Sequence, residues 1–191
     1  MSGKNAEGLS LWECLHDGSL NSLIADALNR TVTISVDVPY LWSFHSLPPD
    51  TRFRLVLQGV HSLTAMEFHS WPGEFQIPEG LTWGETEELR KRYYANGSYH
   101  SMNWQSVASQ LEQTVQYELI SAGIDDLGNG GVSLRIELMS DERSSYPEII
   151  MKGDCIQFFL GQDRELSRAD FLSLGEAYWE DFAHRSTSLS K

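Results

Sequence analysis

His16 and Asp17 are adjacent in the segment LHDGSL, residues 15–20, and in some hydrolases an adjacent His-Asp pair holds a metal ion. Such sites take their other ligands from several helices, but here Gly18 follows the pair, and glycine weakens a helix by about 1 kcal/mol relative to alanine. The residues after Gly18 have a strand-like pattern. The alternative is a turn in which Asp17 accepts backbone hydrogen bonds and Gly18 supplies a permissive backbone. The sequence favours the turn.

Glu67 and His69 are the next candidates for metal ligands. Two residues apart, they would lie on one face of a strand and could offer two ligands, although a solvated outer face explains the same spacing. His61 and His69 would lie about 26 Å apart on one strand, too far to share an ion. The remaining histidines show no HExxH spacing. We therefore expect no metal and no cofactor.

Nucleophilic and phosphate-binding motifs are also missing from the sequence. It contains no GxSxG elbow and neither GxxxxGK[ST] nor GxGxxG. Cys14 and Cys155 fall in apolar sequence surroundings, where a thiol is more often buried and inert than reactive. The loop at 125–129 lacks the DxDxDG order of a calcium site. We predict no catalytic residue and favour a protein that is not an enzyme. Among the 27 acidic residues, a pair of carboxylates that acts in glycoside hydrolysis is not excluded.

Trp71 is the other residue with functional potential, because it stands beside the rigid Pro72-Gly73 turn in FHSWPGEF. If exposed, a tryptophan at this position would be a hot spot for a protein partner. The alternative is a loop tryptophan that folds back over the edge of the sheet.

The charge of the chain excludes one class of partner. The net charge is −13, from 27 acidic and 14 basic residues. The compact basic cluster at 90–92 follows three glutamates on what is predicted to be one helix, so it indicates a solvated face. A nucleic-acid binder needs a basic footprint. We expect no nucleic-acid partner, and an acidic surface that suits solubility or docking to a basic protein.

The cellular setting follows from what the sequence lacks. No run of about 18 apolar residues is present, so we expect no membrane partner. The first ten residues lack the apolar stretch of a signal peptide. Two cysteines are too few for a disulfide framework. We expect a soluble cytoplasmic protein; its oligomeric state stays open.

Eight segments have strand-like patterns, in two groups. The first group is 19–28, 31–38, 52–60 and 63–70, and the second is 115–122, 132–138, 148–153 and 155–160. Residues 31–38, TVTISVDV, alternate strictly between polar and apolar, as a strand with one wet face does. Two helices are predicted between about 82 and 113. The pattern indicates a mainly antiparallel α+β fold, either as two packed sheets or as one curled sheet.

A C-terminal helix should complete this fold. Ser167 and Asp170 have the spacing of a capping box. A stripe on the predicted helix should cover the sheet; it consists of Phe171, Leu174, Tyr178 and Phe182. No linker divides the chain, so we predict a single domain, 1–191, frayed at 1–9 and 186–191.

The N-terminal part resembles a group of small uncharacterised bacterial proteins. The resemblance rests on LHDGSL, an Asn-Arg turn before TVTISVD, and RFRLVLQGVHSL, and it covers about residues 11–63. Some proteins of this group look like immunity proteins, which neutralise a toxin by binding it. The resemblance implies a bacterial binding protein and transfers no catalytic residue.

Two functions therefore stand as hypotheses. The first is a non-enzymatic, acidic protein-binding module, immunity-like in the manner of the resemblance. The second is a small-molecule or metal-binding domain, or a weak hydrolase, with a site near His16, Asp17 and Trp71.

Overall fold

The computed structural model describes residues 11–15, 17–69, 100–101, 117–128, 130–139 and 145–188. The described helices are α1 (Leu11–Leu15), α2 (Pro39–Phe44) and α3 (Arg168–Ser188). The strands are β1 (Ser19–Asp26), β2 (Thr31–Asp37), β3 (Arg52–Gln58), β4 (Ser62–His69), β5 (His100–Ser101), β6 (Tyr117–Asp126), β7 (Val132–Met139), β8 (Ser145–Gly153), β9 (Cys155–Leu160) and β10 (Arg164–Leu166).

The strands form one antiparallel sheet in the order β10-β9-β3-β2-β1-β6-β7-β8-β4-β5. The prediction of a mainly antiparallel α+β fold with a C-terminal helix is confirmed. All eight predicted strands are present, and the two additional strands, β5 and β10, have only two and three residues. Such short strands give no periodic signal. The two helices predicted between 82 and 113 lie outside the described residues.

The sheet combines the two arrangements that the sequence left open. On one side, two residue pairs between β1 and β6 join its two halves: Ser19 with Glu118 and Leu20 with Tyr117. At the other side, the β3–β9 pair passes directly into the β4–β8 pair through short connections at 59–61 and at Asp154. Hydrogen bonding is therefore continuous, while apolar side chains from both halves contribute to one core.

Alternation along the strands decides which side chains enter this core. On β2, Val32, Ile34 and Val36 are completely buried, as the TVTISVDV pattern predicts. On β3, Phe53, Leu55 and Leu57 are equally buried, while Arg52 and Arg54 lie on the opposite face. Burial of each large apolar side chain contributes about 1.5–3 kcal/mol, so this pattern fixes the register as well as the fold.

Helix α3 is capped and anchored at its first turn. The Asp170 backbone N–H donates to Ser167 Oγ over 3.1 Å, so the predicted cap is present. Phe171 packs edge-on against Phe53 at 5.9 Å between ring centroids and against Phe158 at 4.9 Å. These contacts hold the start of the helix on the core.

The predicted apolar stripe of α3 covers the sheet only in part. Tyr178 packs on Tyr40 and Phe44 of α2, and Phe182 is 50% exposed. The expectation that all four stripe residues cover the sheet was wrong, because α2 lies beside the second half of α3. Helix α2 begins at Pro39, whose fixed φ suits the first helical turn. With six residues it is too short to show a helical period.

In the part of the chain that the structure describes, no helix is both long enough and apolar enough to cross a membrane.

Candidate functional site

The structure places only some of the predicted site residues. His16 and Trp71 lie outside the described residues. Glu67 and His69 occupy same-face positions at the end of β4, where their backbones pair with Pro147 and Ser145 of β8. The structure describes only the backbone of these two residues, so their role as ligands stays a prediction.

Asp17 and Gly18 form the link between α1 and β1. The Gly18 N–H donates to the Leu15 carbonyl over 2.9 Å, and exposed Asp17 has the left-handed φ of 54°. Gly18 itself does not have a left-handed φ. A Cβ at Gly18 would lie 2.7 Å from Val36 Cγ1 and 2.8 Å from the Leu15 carbonyl oxygen. The expectation that Gly18 supplies conformational freedom is therefore corrected: glycine is required there for close packing.

The groups next to Asp17 are poorly suited to nucleophilic chemistry. Burial raises the pKa of the Cys14 thiol to about 12, and its Sγ lies 3.3 Å from the Phe171 carbonyl oxygen, to which it donates. Burial also raises the pKa of Tyr40, and the negative charge of Asp17 adds to this effect. Both groups therefore stay protonated near neutral pH. Among the described residues, no three His, Cys, Asp or Glu side chains are grouped as a metal site.

The two cysteines differ in a way that the sequence did not indicate. Cys14 is buried as expected, but Cys155 is exposed at the start of β9, because the first residue of this strand lies at the turn with Asp154. The apolar residues that follow Cys155 in sequence do not enclose it.

We expect the two thiols to react at very different rates. At about pH 8, a chromogenic disulfide reagent should label one thiol of the native protein quickly and the second only after denaturation, because the thiolate is the reactive form. The absorbance of the released product counts the thiols. Cys155→Ser should abolish the fast reaction and Cys14→Ala should leave it unchanged. Two fast thiols in the native protein would contradict the burial of Cys14.

A cluster of five aromatic side chains, four of them half-buried and one exposed, lies where α2 meets α3. We call it the aromatic surface; it comprises Tyr40, Phe44, Tyr178, Trp179 and Phe182. The centre is Tyr178, whose ring centroid lies 4.5 Å from that of Tyr40, 5.6 Å from that of Phe44 and 6.2 Å from that of Phe182. Tilted, edge-on and stacked contacts of this kind stabilise aromatic pairs by about 0.5–1.5 kcal/mol.

Polar contacts hold the helices under this surface in place. The Trp179 indole N–H donates to the Glu13 carbonyl over 2.7 Å, which ties α3 to α1. His45 Nε2 lies 2.9 Å from the Leu174 carbonyl oxygen, which ties the end of α2 to α3. These hydrogen bonds therefore fix the positions of the two helices that carry the rings.

A groove of about 410 Å³ runs along the aromatic surface between α2 and α3. Its apolar wall consists of Tyr40, Phe44, Tyr178 and Phe182. Asp181 and Arg185 line the rim and form an ion pair with 2.6 Å between Oδ2 and Nε. The helix is acidic: between Arg168 and Arg185 it contains four acidic residues, Asp181 included, and no Lys or Arg.

Sequence reasoning missed the aromatic surface because two helices far apart in sequence build it. One signal was available in PYLWSF, residues 39–44, where three of six residues are aromatic. That density is unusual for a loop between strands.

These observations define a class of structure: an α+β scaffold with an aromatic groove beside an acidic helix. Comparison of the chain with protein-family models, curated proteins and solved structures found no match. The resemblance of residues 11–63 to small bacterial proteins thus stays an expectation.

Proposed function

We propose that this chain is a non-enzymatic, acidic protein-binding module that docks a basic partner through the aromatic surface. The observation that carries the proposal is Phe182, an aromatic side chain that is 50% exposed at the edge of a ring cluster on an acidic helix. Tyrosine and tryptophan are enriched among the side chains that dominate binding energy, and they act best when neighbouring groups exclude water from the contact.

Charge supports a basic partner over a neutral one. The net charge of −13 speeds the encounter with a positive surface, and four acidic residues lie on the helix that carries three of the five rings. An acidic module of this kind could occupy the substrate site of a basic toxin, which is the immunity-like action that the resemblance implies. The proposal places the protein in the cytoplasm of a bacterium, a setting that suits its two unpaired cysteines.

Selection from a library of random short peptides on the immobilised full chain tests the proposal. We expect the enriched peptides to carry Lys or Arg beside a Leu, Met or aromatic residue that enters the groove. Their binding should weaken as salt is added, because screening reduces the attraction between exposed charges. In Phe182→Ala the affinity should fall about thirtyfold, as for a hot-spot residue.

Leu28→Ala is the matched control, because Leu28 is 92% exposed in the turn between β1 and β2, outside the groove. This variant should bind the selected peptides as the wild type does. Enrichment of acidic peptides, or equal binding by wild type and Phe182→Ala, would overturn the proposal.

A second candidate is a small-molecule or metal-binding domain, or a weak hydrolase, near His16 and Asp17. It is supported by the Tyr40 hydroxyl, which is buried without a hydrogen-bond partner among the described residues and senses the charge of Asp17. A ligand could satisfy such a group. Metal analysis of the purified chain and of Asp17→Asn tests the metal-dependent form of this candidate. Bound metal that the substitution removes would support that form, and a metal-free wild type would count against it.

A further inference from the structure

A second concave region lies on the polar face of the sheet, across β1, β2 and β3. Its volume is about 480 Å³. The residues that line it include Ser22, Ile24, Ser35, Arg52 and Arg54. The strand register explains its shape. Ser22 pairs with Ser35, Ser35 with Arg54, and Arg54 with Phe159, so two short side chains leave a depression beside a long cation.

Arg54 is held in place on one side of this depression. Its guanidinium carbon lies 4.7 Å from the centroid of the Phe159 ring, and its Nη2 donates to the Gln162 carbonyl oxygen. A cation that stacks on a ring and donates to a fixed carbonyl loses little freedom when it binds a ligand. Arg54 is therefore preorganised.

The same guanidinium has too few acceptors. Within the described part of the chain, its Nε is enclosed and has no hydrogen-bond partner. Burial of charged donors without acceptors is costly. The negative charge of an anion in the groove would stabilise this guanidinium, although the enclosed Nε itself is out of its reach.

Ser35 is the neighbour of Arg54 in the depression. It pairs with Arg54 across β2 and β3, is only 6% exposed and lines the depression. A ligand oxygen next to Arg54 could accept from this hydroxyl as well.

The remaining charges select the class of anion. Arg52 is partly neutralised by Asp37, with 3.6 Å between Nε and Oδ1, and Asp50 also lines the groove. The carboxylate of Asp50 in the groove, that of Asp37 beside Arg52 and a net charge of −13 disfavour a dianion such as phosphate. Ile24, 60% exposed on the wall, offers an apolar contact.

From this geometry we infer that the groove on β1, β2 and β3 is a binding site for a small monocarboxylate with an apolar body. The carboxylate lies against the guanidinium of Arg54 and the hydroxyl of Ser35, and the apolar part covers Ile24. Arg54 and Phe53 point to opposite faces of β3, and the Phe53 ring packs against Phe171 of α3. The site is therefore separate from the aromatic surface.

Titration of the isotope-labelled full chain with benzoate, acetate and inorganic phosphate, followed by amide and arginine Nε resonances, tests this inference. We expect saturable perturbations at residues of the groove, with benzoate binding more tightly than acetate and acetate more tightly than phosphate. Arg54→Lys keeps the charge but loses the planar fork, so benzoate affinity should fall about tenfold or more. Arg164→Lys, on exposed β10, is the matched control and should bind as the wild type does.

Tighter binding of phosphate, perturbations outside the groove, or equal affinities of wild type and Arg54→Lys would overturn the inference. If Arg54→Lys does not fold, the wild-type perturbation map alone decides. Phe182→Ala should keep its benzoate affinity, so failure of the peptide-binding proposal and failure of this one are distinguishable.

Discussion

Gly175→Ala should destabilise the protein strongly, although alanine is the better helix former. A Cβ at Gly175 would lie 2.6 Å from both Cys14 Cα and the Glu13 carbonyl oxygen, and 2.7 Å from Cys14 N. All three are backbone atoms of α1, so relief requires α1 and α3 to move apart. Alanine gains about 1 kcal/mol of helix propensity, but overpacking of a close contact costs about 1–3 kcal/mol or more. Because all three close atoms are backbone, we expect the upper end of that range: a cost of about 3 kcal/mol less a gain of about 1 kcal/mol leaves a net loss of about 2 kcal/mol in the free energy of unfolding.

The midpoint of urea unfolding measures this effect, with Gly123→Ala as the control. Gly123 lies in β6, and a Cβ built there meets no atom within 4 Å among those described. The control should unfold at the wild-type urea concentration or slightly above it, because glycine is unfavourable within a strand. Wild-type stability of Gly175→Ala would show that α1 does not pack on α3 as the structure has it.

The same contact shows where sequence reasoning reaches its limit. Strands such as β2 and β7 were predictable because alternation is a local pattern that one buried face imposes. The cap at Ser167 and Asp170 was predictable for the same reason. The approach of Gly175 to Cys14 joins segments about 160 residues apart, and no local pattern announces it.

The candidate sites were even less accessible from the sequence. Predictions on His16, Asp17, Glu67, His69 and Trp71 relied on residue types that are rare or reactive. The groove at Arg54 instead arises from register: β2 places Ser35 beside Arg54, and β9 places Phe159 on its other side. Each residue alone is an ordinary outward-facing strand residue. Pairing between strands turns them into a shaped cation site, and pairing is the information that a single sequence lacks.

Two phenylalanines on α3 separate the stability of the scaffold from binding. Phe171 is completely buried, and its ring contacts those of Phe53 and Phe158, whereas Phe182 is 50% exposed. Phe171→Ala removes a large core side chain and leaves a cavity, so it should lower the free energy of unfolding by about 3–5 kcal/mol. Phe182→Ala should lower it by less than about 1 kcal/mol, since the side chain is half in contact with water and leaves no enclosed cavity. Urea unfolding measures both values.

Stability and peptide binding, measured on the same two variants, distinguish a docking site from a packing contact. If the aromatic surface is a docking site, Phe182→Ala loses peptide binding while it keeps nearly all of its stability, because its ring stays half in water until a partner covers it. Phe171→Ala should show the reverse under conditions where it remains folded: a large loss of stability with the aromatic surface intact. The opposite pattern, a strongly destabilised Phe182→Ala with normal peptide binding, would show that the exposed ring serves the packing of α3 on α2. The aromatic surface would then be part of the scaffold, and the acidic face of α3 alone would have to account for any basic partner.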